Sequence, residues 1–263
     1  MKTKLVVVGA AGRMGRRIVA LAVESGQFDI VGAVEMQGHP DIGKDAGILA
    51  GAGAIDIKLT DSFPTGGEVV IDFSLAGAAD KTLENCLAHK LALVSGTTGL
   101  SGAQREKFTA ASEKIPIIYG TNMSVGMNVL FNLVGKVATM LGDEYDIEIT
   151  EQHHRFKKDA PSGSALTLAE NICKATGRDV DKSLTHGRSG ESLRQKGDIG
   201  MHAVRAGDII GDHSVIFGTL GETVSINHTA NSRDTFVRGA LKAAKWLVGK
   251  EPGLYSMGDV LGI

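Results

Sequence analysis

The sequence predicts an α/β protein with an N-terminal Rossmann-like, doubly wound parallel sheet and a second α+β domain built on an open mixed sheet. Three observations carry that prediction. Up to residue 122, short β-branched runs alternate with helical patterns, as in a parallel sheet with crossover helices. The first run meets the glycine turn GAAGRMG, which opens the first helix. Beyond residue 122 the rhythm changes to one long apolar helix, a two-residue alternation and runs broken by Gly-Asp and Gly-Glu turns, which is how an α+β domain reads.

Taken in order, residues 4–8 (KLVVV) are the first strand, and RRIVALAVES is a helix with Ile18, Val19, Leu21 and Ala22 on one face. A second strand, DIVGAVE at 29–35, ends in a carboxylate. Further strands are predicted at 69–73, 91–95 and 115–119, separated by the helical patterns AGAADKTLENCLAHK and SGAQREKFTAASEK. SVGMNVLFNLVGKVATMLG follows as a long helix whose apolar stripe is Val125, Val129, Leu133, Val137 and Leu141. In YDIEITEQHH, Tyr145, Ile147 and Ile149 alternate with Asp146, Glu148 and Thr150, giving a strand with one wet face that runs to about His153. PSGSALTLAENICKA is again helical, and residues 177–200 are polar, Gly-rich and without period, the mark of a functional or mobile loop. Three alternating runs between 201 and 229 read as antiparallel hairpins. The segment TFVRGALKAAKWLVG is a helix expected to return to the first domain, with loose residues after it. The domains are therefore 1–124, completed by 234–263, and 125–233.

Composition narrows the function. Lys and Arg number 28 against 30 Asp and Glu, so the basic excess of a nucleic-acid binder is missing, and such a reading would rest on Arg155, Lys157 and Lys158 alone. Cys86 and Cys173 stand far apart and outside any CxxC, which implies buried thiols rather than a disulfide or a zinc knuckle. The apolar run Leu5 to Val8 is too short for a signal-peptide core, and no stretch reaches the ~18 apolar residues of a membrane span. A reducing, cytoplasmic setting is the expectation, with no membrane partner.

The glycine turn is the first chemical motif. Gly9, Gly12 and Gly15 are spaced G-x-x-G-x-x-G, and a turn made of Gly9, Ala10, Ala11, Gly12, Arg13 and Met14 lets a diphosphate approach backbone N–H groups at a helix start. Glu35, 20 residues beyond Gly15, stands where a carboxylate accepts hydrogen bonds from an adenosine ribose. Together they predict a nicotinamide cofactor; the bland alternative is close helix–sheet packing and a solvated Glu. A carboxylate repels a 2′-phosphate, and the residue after it is Met36 rather than Arg, so NADH is predicted to serve at least as well as NADPH. Two more loops at strand ends, with Gly96, Thr97 and Thr98 in one and Gly120, Thr121, Asn122 and Met123 in the other, are candidates to line the nicotinamide.

EQHHRFKKDAPSGSA, residues 151–165, crowds two histidines and three cations into six positions, which is unfavourable unless a negative group sits among them. Adjacent His153 and His154 on a strand point to opposite faces and cannot share a metal as H-x-x-x-H does, so no metal is expected. A histidine can move protons near neutrality, and Lys157 can bind a carboxylate or protonate a reacting atom. Ser162 is placed to cap a helix whose first N–H groups, those of Gly163 and Ser164, form an anion pocket. A small dicarboxylate would relieve the crowding; a solvated basic turn is the alternative.

Taken together, GAAGRMGR, VSGTTGLS, NMSVGMNV, EITEQHHRFKKDAPSGSA, VRAGDIIGDH and GLYSMGDVLGI make the chain resemble the dihydrodipicolinate reductase family along nearly its whole length. The resemblance implies NADH- or NADPH-dependent reduction of 4-hydroxy-tetrahydrodipicolinate, by way of dihydrodipicolinate, to tetrahydrodipicolinate on the diaminopimelate route to lysine. It implies His153 as proton donor or acceptor, Lys157 as proton donor, and His154, Gly163 and Ser164 as substrate contacts. Ser164 stands where the family has Thr, and the family's usual Arg after the ribose-binding Glu is absent. It further implies a second domain that binds substrate and assembles a homotetramer, and a hinge near Arg233 and Phe236. Another two-domain dehydrogenase of amino-acid metabolism and a non-catalytic nicotinamide-sensing protein are the alternatives.

Overall fold

The first apolar run becomes an interior strand of a sheet. The computed structural model describes residues 1–263. In chain order the elements are β1 (Thr3–Val8), α1 (Arg13–Ser25), β2 (Phe28–Val34), α2 (Ala46–Ala50), β3 (Leu59–Thr60), β4 (Val69–Asp72), α3 (Ala79–His89), β5 (Ala92–Ser95), α4 (Gly102–Ser112) and β6 (Pro116–Tyr119). They continue with α5 (Val125–Leu141), β7 (Asp146–His153), α6 (Gly163–Thr176), α7 (Val180–Ser183), β8 (Leu184–His186), β9 (Ile199–Arg205), β10 (Asp212–Thr219) and β11 (Glu222–Thr229). The last are α8 (Asp234–Leu247), β12 (Gly253–Tyr255) and α9 (Met257–Leu261). The chain divides into two units, Met1–Val125 with Asp234–Gly262, and Gly126–Arg233.

In the first unit, seven parallel strands lie in the order β12-β6-β5-β4-β1-β2-β3. The chain leaves β1 toward β2 and later returns to its other side with β4, so the strand order reverses beside β1, and ligands bind at the carboxyl ends of such a switch point. Both faces of β1 are covered, which is why its residues are apolar without alternation. Leu5 and Val7 join Ile18, Val19 and Ala22 of α1 and Val237, Ala240 and Ala244 of α8, whereas Val6 and Val8 face Leu83, Phe108 and Ala111 of α3 and α4. Arg17 of α1 ties α8 down by donating to both carboxylate oxygens of Asp234, at 2.8 and 2.6 Å.

The C-terminal residues expected to be loose are ordered. Gly253–Tyr255 pairs with Pro116–Ile118 as an edge strand, and Ser256 starts α9 with a reciprocal cap against Asp259. A three-residue strand has too few positions to show a period, which also hid β3. The five-residue α2 was equally invisible, although Asp45 caps it at the amide of Ile48.

The second unit is a five-stranded mixed sheet in the order β11-β10-β7-β9-β8. Only β10 and β11 form a hairpin; β9 instead runs parallel to β7, Ile147 facing Ile199 and His153 facing Arg205. The expectation of hairpins throughout 201–229 is corrected accordingly: alternation reveals that a run is a strand, not which neighbour it takes. The 177–200 segment also carries structure, since Leu184–His186 pairs parallel with Ile199–Met201.

The helix α5 buries a different stripe from the one its apolar spacing indicated. Met127, Leu130, Val134 and Ala138 pack with Ile147, Ile149, Leu168 and Ile172, while Val129 and Leu133 remain 44% and 39% exposed. This helix is apolar nearly all round, so periodicity alone could not choose its inner face. On the opposite face of the sheet Glu148 collects Arg188, Arg194 and His202. Gly200 makes the room, because a Cβ there would overlap the Glu148 carboxylate.

Candidate active site

In the first unit, a cavity of about 800 Å³ opens at the ends of β1, β2 and β4, and Gly9, Gly12, Glu35, Met36, Phe73 and Ser74 are among its lining residues. Its shape follows from missing side chains. A Cβ on Gly15 would lie 2.0 Å from the Gly9 carbonyl oxygen, so α1 starts directly on the turn, and Gly9 itself adopts φ 74°. The helix has no side-chain cap at Gly12, which leaves its first N–H groups to an incoming anion. Glu35 is braced across the turn: its carboxylate accepts from the Ala11 amide at 3.1 Å and the Met36 amide at 2.9 Å.

The other cofactor candidates occupy varied positions. Ala10 and Ala11 point into the core, Met14 packs against it, and Arg13 is exposed. Gly96, Thr97 and Thr98 follow β5, and Gly120, Thr121, Asn122 and Met123 follow β6, at the same edge of the sheet but outside that cavity's lining. Gly96 leaves room for the Phe73 ring, 2.4 Å from where its Cβ would be. The Met123 side chain is buried beneath α8, so only its backbone could meet a ligand. Asp72, at the end of β4, is fully buried, and that burial raises its carboxyl above the usual range.

In the second unit the crowded stretch resolves around one carboxylate that sequence reasoning did not single out. Glu151 has no exposed surface, and its oxygens accept from Arg205 at 2.9 and 2.7 Å and from the Ser162 amide at 3.0 Å. Its Oε2 lies 2.5 Å from Nδ1 of His153. Burial pushes the Glu151 carboxyl up, but His153 and Arg205 outweigh it and bring the group down to about 2. The signal lay in the spacing, because Glu151 and His153 are two apart on a strand and share its inner face.

Lys157 follows, its Nζ 2.8 Å from Asp159 Oδ1. His154 lies just past the last residue of β7, its ring 6.3 Å from that of Phe156. Ser162 caps α6, as its place in the sequence predicts, by accepting from the amide of Ala165 at 3.2 Å. A second missed residue, His213, sits opposite Glu151 on β10, its ring 5.2 Å from that of His153 and its Nε2 3.2 Å from Ser162 Oγ. Burial, then the neighbouring His153, lowers its titration to about 4, so near neutrality His213 is uncharged. The network thus holds one fixed anion, one histidine bonded to it and one neutral imidazole.

A switch-point sheet whose first helix starts uncapped beside a braced carboxylate is the architecture of a dinucleotide-binding protein, and the same chain carries a histidine held by a buried carboxylate. Family models described as "Dihydrodipicolinate reductase, N-terminus" and "Dihydrodipicolinate reductase, C-terminus" match residues 3–123 and 126–261. The chain belongs to the dihydrodipicolinate reductase family. The 4-hydroxy-tetrahydrodipicolinate reductase of Geotalea daltonii is 46% identical over 264 residues, covering 99% of each chain. That of Geobacter sulfurreducens is 46% identical over 265 residues, with the same coverage. Among solved structures, a dipicolinate-bound dihydrodipicolinate reductase from Paenisporosarcina sp. TG-14 shares the fold with TM-score 0.71 at 21% identity, over 97% of this chain and 98% of that one. An amine dehydrogenase from Mycobacterium smegmatis also shares it, with TM-score 0.60 at 12% identity over 98% and 95%. The chain is accordingly an NAD(P)H-dependent reductase acting on a small molecule.

Proposed function

We propose that the chain reduces dihydrodipicolinate, formed from 4-hydroxy-tetrahydrodipicolinate, to tetrahydrodipicolinate, with His153 and Lys157 handling protons. The observation that carries this reading is the His153 ring hydrogen-bonded to a buried, ionised Glu151 in a chain 46% identical to 4-hydroxy-tetrahydrodipicolinate reductases. The residues present fit a dinucleotide: α1 starts without a side-chain cap, Gly15 draws it onto the turn, and the Glu35 carboxylate is held at the strand end. When bound, the dihydronicotinamide supplies the hydride.

The protein's own part is binding and proton transfer. Reduction of a double bond adds a hydride to one atom and a proton to its partner, and a histidine held by a fixed carboxylate is a group that can supply that proton. Lys157, an ammonium at hydrogen-bonding distance from Asp159, is the proton donor or the clamp on a substrate carboxylate. The Gly163 and Ser164 amides at the start of α6 and the side chain of His154 complete the substrate contacts.

For the cofactor, NADH serves at least as well as NADPH. Glu35 and Asp61 both line the cavity and Lys81 is its only cation, a poor setting for an additional 2′-phosphate. The open face of the second sheet forms the contacts of a homotetramer, checked by analytical ultracentrifugation. A reducing cytoplasmic setting accords with two buried, unpaired thiols; no helix is long and apolar enough to cross a membrane. The deciding assay couples the upstream synthase to the purified chain with each nicotinamide in turn. No oxidation of either would sink the assigned reaction, and a tenfold preference for NADPH would overturn the cofactor reading.

A further inference from the structure

Two residues flank opposite edges of the His153 ring. Glu151 sits at one edge, its Oε2 2.5 Å from Nδ1. That carboxylate cannot swing away, because Arg205 grips both of its oxygens and the Ser162 amide a third lone pair. An ionised carboxylate only accepts hydrogen bonds, so Nδ1 carries the proton. The neutral ring is then an acceptor at Nε2, and the charged ring a donor there.

Gly211 sits at the other edge. A Cβ at this position would lie 3.1 Å from Nε2 and 3.5 Å from Cδ2 of His153, and 3.8 Å from Cε1 of His213. The backbone at Gly211 is outside the left-handed region, so the glycine is not needed for chain geometry. What it provides is space against Nε2. The ring cannot retreat from an added methyl group either, since Glu151 fixes its far edge.

We propose that Glu151 and Gly211 are positioning residues for His153: Glu151 keeps the proton on Nδ1, and Gly211 keeps the region against Nε2 open, so that Nε2 exchanges the proton with substrate. This rests on the reading of His153 as the proton-handling group and names the atom and the parts that hold it. It also accounts for a glycine where the backbone does not require one.

The test compares Gly211→Ala, Glu151→Gln and His153→Gln with wild type. Gly211→Ala is expected to fold and to lower kcat on the order of 10- to 100-fold, the scale of a misplaced catalytic group, with KM for the nicotinamide within about twofold. In wild-type enzyme labelled with 15N in its histidines, neutral His153 is expected as the Nδ1–H tautomer, and in Glu151→Gln as a mixture or as Nε2–H. Wild-type kcat in Gly211→Ala alongside a crippled His153→Gln overturns the positioning role and leaves the proton role of His153 standing. Full activity in His153→Gln removes both. Should Glu151→Gln fail to fold, the wild-type tautomer decides the matter, and a wild-type Nε2–H form would refute the assignment.

Discussion

Replacing Glu151 by Gln offers a direct measure of how firmly the network holds its charge. The carboxyl titrates near 2 in the folded protein against an ordinary 4.5. Its folded value is depressed, so its contribution to stability is complete above pH 4.5 and is lost as the pH falls toward 2. Linkage gives about 1.4 kcal/mol per pH unit across that window, or about 2 kcal/mol between pH 7 and pH 3. Glutamine keeps the shape and loses the titration, while the other carboxylates with depressed values, Asp41, Asp80, Asp234 and Asp259 among them, remain in both proteins and cancel. Urea unfolding should therefore show wild type well above Glu151→Gln at pH 7, with the gap narrowing by about 2 kcal/mol at pH 3. Far-UV circular dichroism at fixed protein concentration is the right probe, because the single tryptophan, Trp246, lies in the other unit. Parallel pH curves for the two proteins would mean that Glu151 is not held ionised by Arg205 and His153, and the account of the network would fail.

Other expectations follow from the same geometry. Lys157→Ala should raise KM for the dicarboxylate roughly 10- to 100-fold, the worth of a charge-assisted hydrogen bond, and lower kcat as well; steady-state kinetics with unchanged KM would remove it from substrate binding. Met36→Arg, beside the braced Glu35, should move the ratio of kcat/KM values about tenfold toward NADPH, and an unmoved ratio would show that this position does not meet the ribose. Gly239→Ala puts a methyl group 1.7 Å from the Met123 carbonyl oxygen and should destabilise the first unit by about 3 kcal/mol, read as an early loss of Trp246 fluorescence in urea; unaltered stability would mean that α8 shifts freely on the sheet.

The parts of the fold legible in the sequence were those with enough residues to show a period. The doubly buried strands around β1, the switch-point turn and the wet-faced strand ending at His153 all announce themselves. Strands of two or three residues do not, and neither does the inner stripe of a helix that is apolar all round, as α5 is. Partner choice is also hidden, because the insertion of β7 between β9 and β10 depends on tertiary contact. The site shows the same division. His153, Lys157 and Ser162 stand out as chemically unusual in their stretch, whereas Glu151, although its spacing puts it on the inner face of the strand, has no visible reason to be buried there until Arg205, 54 positions on, is brought beside it.

The order of synthesis gives the closing helix a particular importance. Because α8 packs on the first sheet and β12 is one of its strands, a ribosome has to finish the whole intervening unit before the first can be sealed. Until then the nascent N-terminal sheet shows the apolar patch that Val237, Ala240 and Ala244 later cover. Chains stalled or clipped near residue 233 would therefore be sticky clients for chaperones, even with every residue of the glycine turn and of the histidine network already made.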